Sequence, residues 1–226
     1  MNKEVPNNKL WEAVLENRLN RENDHKLVRQ YEILNFAVAT HTPLHRLAMF
    51  EEKALSFQPD VLFYIGHPSD RLRASYRLAE LVMSGTTIPY DYLREIVEKA
   101  GLRADMPIRE LRARLHSHSN EILAGTYRRI VEICRERNIP PVFIYLPNLR
   151  ALGEEETPDH LRLAAEAGFN VLNMSGVFDG VDEQTLHRNE WDFHPNAKGH
   201  RIIADRLYEM LRKNPALLQK NQPSQR

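Results

Sequence analysis

Hydrophobic positions recur at helical spacing over residues 10–19, where Trp11, Val14, Leu15 and Leu19 share one face. The pattern then changes. The stretch "YEILNFAVA" (31–39) is short, apolar and partly β-branched, which predicts a buried strand. Thr42-Pro43 supplies a cap and a first helical position for a helix carrying Leu44, Leu47, Ala48 and Leu55 inward. "PDVLFYIG", "PPVFIYLP" and "FNVLNMSG" predict three further strands. Residues 68–137 are almost wholly helical in pattern, interrupted near Gly85 to Pro89 and near Gly101 to Pro107. A helix around residues 161–167 and a last one over 196–213 complete the chain.

Short apolar strands separated by helices predict a parallel sheet covered on both faces, with ligands at the carboxyl ends of the strands. The organisation expected is one α/β domain over residues 1–213. It includes a helical insertion at about 72–119, part of which can serve as a lid, and a flexible tail at 214–226.

Charge narrows the partners. Thirty-one basic and thirty-one acidic residues cancel, without long runs of one sign, so nothing in the balance draws nucleic acid or an anionic membrane. A small-molecule or glycan substrate fits better. The N-terminal region has no apolar run that reads as a signal peptide or membrane span, which predicts a cytoplasmic protein if Met1 is the true start. Cys134 is the single cysteine and falls in step with Tyr127, Ile130 and Val131, as a core residue would.

The chemistry concentrates in "WDFHPNAKGHRIIADRL" (191–207). Pro195 biases His194 toward extended backbone, and in extended chain residues two apart share a face. Asp192 can therefore orient the His194 ring and leave its far nitrogen as a base. Asn196 can cap the last helix, which Ile203, Leu207, Met210 and Leu211 anchor. The competing reading makes Asp192 and Asn196 turn and cap residues and His194 a surface side chain. Trp191 and Phe193 face away from Asp192 and His194 in such a segment and are expected to pack.

"DFHPNAKGHRIIADRL" resembles the closing block of the GDSL or SGNH hydrolases. "YEILNFAVATHTPLHRLAMFEEKALSFQPDVLFYIGHPSD" resembles that family's second and third blocks, and "PPVFIYLP" its penultimate strand. The resemblance implies a flavodoxin-like three-layer α/β/α sandwich that hydrolyses acyl or acetyl esters without a metal or other cofactor. It implies His194 as base and Asp192 as its orienting acid, although the acid stands two residues before the histidine rather than the usual three. The second block's glycine, a backbone oxyanion donor, falls near Ala39 or Thr40. The third block's asparagine aligns with Pro68 or Ser69, with His67 as another donor.

The family's Gly-Asp-Ser nucleophile and first strand have no counterpart before the helix at 10–19. Ser84 and Ser175 are poor substitutes, since Gly-x-Ser-x-Gly does not occur. The economical explanation is an internal start at Met1 with strand and serine encoded upstream, a genuine short form being the alternative. Two functions follow: an ester hydrolase whose acid and base lie in this chain, or a non-catalytic module that keeps the cleft for an acyl or glycan ligand. A metal centre built on His41/His45, His116/His118 or His194/His200 lacks an acidic third ligand at motif spacing.

Overall fold

The computed structural model describes residues 5–23, 28–147, 149 and 157–219. It is an α/β fold around a three-stranded parallel sheet in the order β1-β2-β3, with β1 Leu62–Gly66, β2 Pro141–Tyr145 and β3 Asn170–Asn173. Leu62 pairs with Pro141 and Gly66 with Tyr145, while Val142 pairs with Asn170 and Tyr145 with Asn173. All five residues of β2 are buried, as a central strand of a doubly covered sheet requires.

Alternation along β2 divides the core between two faces. Phe143 and Tyr145 join Tyr64, Phe169 and Tyr127 in one apolar cluster, which is covered by α2 (Pro43–Glu52), α6 (Ser119–Glu136) and α7 (Thr157–Ala167). Val142 and Ile144 turn to the other cluster, where α1 (Trp11–Arg21) and α8 (Ala197–Lys213) bring Leu15, Leu19, Ile203 and Leu207. Cys134 is buried in the first cluster, and burial pushes its thiol up to about 12, so it packs as an apolar side chain.

The insertion builds a core of its own. Helices α3 (Asp70–Met83), α4 (Asp91–Lys99) and α5 (Ile108–His116) pack with α6 through Leu78, Leu93, Ile96, Leu111, Leu115 and Ile122. The breaks fall where the sequence places them, at Gly85 and Gly101, both with positive φ. Thr42 caps α2 as anticipated, and His45 closes the box by accepting the Thr42 backbone N–H at 3.2 Å.

Three expectations fail. Residues 31–39 do not form a strand: the chain has no regular secondary structure and does not pair with β1, and Leu34 and Val38 are exposed. Its polar backbone is engaged instead by α1 side chains. Asn20 accepts the Tyr31 N–H and donates to the Tyr31 carbonyl, and Glu16 accepts the Ile33 N–H. An apolar run becomes a strand only beside another strand. Next, the tail begins with a 3₁₀ turn at Pro215–Leu218, whose Leu217 and Leu218 pack on the α1/α8 cluster; residues 220–226 lie outside the described residues. Finally, Trp191 is 82% exposed and does not pack, whereas Phe193 meets the His187 ring edge-on.

Candidate functional site

His194 lies on a small hairpin that sequence periodicity does not reveal. Strand β4 (His187–Asn189) pairs antiparallel with β5 (Asp192–Pro195), matching His187 with Pro195 and Asn189 with Asp192. Asn189 sets the turn, its Oδ1 accepting the N–H groups of Trp191 at 2.9 Å and Asp192 at 2.8 Å. The hairpin is locked to α8 by Asn196. Its Oδ1 accepts the N–H groups of Lys198 and Gly199, and its amide donates to the carbonyls of Thr185 and His187. Gly199 permits this approach, since a Cβ there would stand 2.9 Å from the Pro195 Cβ.

Asp192 Oδ1 accepts both the His194 backbone N–H, at 3.0 Å, and His194 Nδ1, at 2.5 Å. Arg188 donates to the other carboxylate oxygen at 3.4 Å. Burial pushes the Asp192 carboxyl up, but the His194 hydrogen bonds and the His194 and Arg188 charges outweigh it and hold the group below the usual carboxylate range. An ionised carboxylate can only accept, so Nδ1 carries the proton and Nε2 is left as the basic nitrogen. Nε2 has no partner among the described residues, and the His194 side chain is 80% exposed.

A groove of about 1670 Å³ runs from α1 and the irregular segment 31–38, along the open edge of β1, to this hairpin. Asp192, His194, Thr40 and His67 all line it; Ala39 and Ser69 do not. Thr40 adopts φ +69°, in the turn closed by the His41 N–H on the Val38 carbonyl. That is the left-handed region glycine favours, and a β-branched residue is strained there. Thr40→Gly is therefore expected to raise stability by about 1 kcal/mol, measured as a higher urea midpoint; a lower midpoint would show that the threonine side chain holds the turn.

At the carboxyl end of β1 the chain turns through His67, Pro68 and Ser69 into α3. Asp70 is fully buried and anchors the turn: it accepts the His67 N–H at 3.1 Å and receives Arg46 at 2.7 and 3.0 Å. Ser69 sends its backbone N–H (3.1 Å) and shares its hydroxyl (2.8 Å) with His67 Nδ1. His200, on α8, accepts the Trp11 N–H at 3.2 Å, and burial lowers its basicity to about 4, so it serves as a neutral tie between α1 and α8.

Neither substitute serine reaches the groove. Ser175 binds the Asn173 side chain at 2.5 Å, and Ser84 is spent on Leu81 and Thr86. Among the described residues Thr40 is the one aliphatic hydroxyl lining the groove. Arg73 and Arg188 line it too and escape a reading of the sequence. Spacing does not distinguish Arg73 from Arg71 and Arg77 on the same helix, and Arg188 sits on an unforeseen strand. Among the described residues no group of three His, Cys, Asp or Glu side chains is placed to hold a metal ion, and no helix is long and apolar enough to cross a membrane.

Compared with protein-family models, curated proteins and solved structures, the chain matches none.

Proposed function

We propose that the chain carries the acid and base of an SGNH-type ester hydrolase acting on acyl or acetyl esters in this groove, its sheet being part of a flavodoxin-like sandwich. The carrying observation is the pair formed by Asp192 and His194, which leaves Nε2 as a base with no partner among the described residues, on a side chain that lines the groove. In this role Nε2 takes the proton of an attacking hydroxyl, and Asp192 stabilises the imidazolium that results. Thr40 contributes a backbone N–H toward the developing oxyanion.

Among the described residues no serine lines the groove. Loss of a triad serine costs on the order of a million-fold in turnover, so the 226-residue chain by itself is expected to hydrolyse esters very poorly. A fluorophosphonate probe, which labels activated serines, should leave this chain unmodified and label an extended chain only if the extension supplies the serine. His194→Ala in the extended chain should abolish labelling, and labelling that survives it would remove His194 from the mechanism.

One observation favours a second reading, a non-catalytic binding module. Four of the five exposed large apolar side chains among the described residues, Leu34, Val38, Phe57 and Trp191, line this same groove. Apolar exposure gathered at one concavity marks a ligand surface. Silence of the extended chain toward the probe would select this reading.

A further inference from the structure

Arg73 departs from the pattern of its neighbours. Arg46 is paired with Asp70, Arg77 with Glu80 and Arg188 with Asp192, but Arg73 has no acidic partner and no hydrogen bond from its guanidinium among the described residues. It is partly buried and lines the groove. A guanidinium drawn out of bulk water without an acceptor forgoes hydration, and an anion in the groove would restore what it lacks.

His67 supplies the complementary donor. A backbone N–H can only donate, so the Ser69 N–H at 3.1 Å makes His67 Nδ1 an acceptor, and the Ser69 hydroxyl at 2.8 Å must then donate as well. The ring proton is thereby confined to Nε2, which has no partner among the described residues, on a ring that lines the groove. Burial lowers the basicity of the imidazole and outweighs the Asp70 charge, which raises it, while the Arg46 and Arg73 charges lower it further. His67 therefore stays neutral, and its Nε2–H is a fixed donor. The Asp70 bond to the His67 N–H holds the backbone of this turn in place.

We propose that Arg73 and the Nε2–H of His67 form an anion-recognising subsite, so that the groove's ligand carries a carboxylate or phosphate group. Ser69 is the positioning residue, acting through the His67 ring. The subsite does not depend on His194 and serves a hydrolase or a binding module equally.

The test reads binding rather than turnover, so its failure and the failure of the hydrolase reading are separable. Inorganic phosphate and butyrate are titrated separately into ¹⁵N-labelled protein while the Arg73 side-chain N–H and the His67 ring nitrogens are followed by NMR. Expected are saturable shifts at both residues with at least one probe, the better probe naming the anion class. Arg73→Gln should weaken that binding by about tenfold or more, whereas Arg77→Gln, off the groove, should leave it unchanged. Ser69→Ala keeps the backbone N–H donated to His67 Nδ1 and should leave the ring proton on Nε2. Shifts that never saturate and are shared by Arg73 and Arg77 would overturn the subsite, as would a His67 proton found on Nδ1 in the unaltered protein. Should Arg73→Gln fail to fold, the saturable shifts of the unaltered protein decide the question alone.

Discussion

Asp70→Ala is expected to destabilise the protein by about 3–5 kcal/mol, the cost of leaving a charge buried without its partner. Asp70 is completely buried and Arg46 grips it with two guanidinium nitrogens, while Arg46 also reaches the Tyr64 hydroxyl at 3.2 Å and the Ile65 carbonyl at 3.1 Å. Removing the carboxylate strips Arg46 of its counter-charge and the His67 N–H of its acceptor. Urea unfolding followed by circular dichroism measures the loss. A double replacement, Arg46→Met with Asp70→Leu, should cost less than Asp70→Ala alone, because no isolated charge remains. A loss below about 1 kcal/mol for Asp70→Ala would mean that water replaces the carboxylate.

Phe143→Ala is expected to cost a further class of energy, about 3–5 kcal/mol of lost burial and cavity formation. The ring is wholly buried, with Tyr64, Tyr127 and Phe169 at centroid distances of 5.7, 5.4 and 5.8 Å. It also lies flush against β1: a Cβ on Gly66 would stand 2.2 Å from Phe143 Cζ. Gly66→Ala should therefore be strongly destabilising in the unaltered protein and much less so beside Phe143→Ala. A double-mutant cycle on unfolding free energies measures that coupling, and simple additivity would show that the two positions do not share the space.

How far the sequence discloses this molecule depends on how local each cause is. Strand β2 and helix α8 are legible because their apolar periodicity coincides with what they bury. The pair at Asp192 and His194 is legible because a proline sets the backbone of one residue and alternation places the other on the same face. The stretch 31–39 misleads because its periodicity suits a strand, while strand formation depends on a neighbour elsewhere in the fold. The hairpin of β4 and β5 is too short and too polar to announce itself. Arg46 and Asp70 stand 24 positions apart and meet only when α2 packs against α3, so no spacing rule could pair them.

Arg46 has one more consequence, for how the protein behaves at high concentration. In β1 the Leu62 N–H and the Gly66 carbonyl face β2, so alternation turns the backbone groups of Phe63 and Ile65 toward the open edge. Such an edge is a template on which other polypeptides can add strand by strand. Arg46 occupies the Ile65 carbonyl on that edge with a guanidinium that Asp70 holds in place. An incoming strand finds its acceptor taken and a cation in its path, so the same ion pair that secures the turn also keeps neighbouring molecules apart.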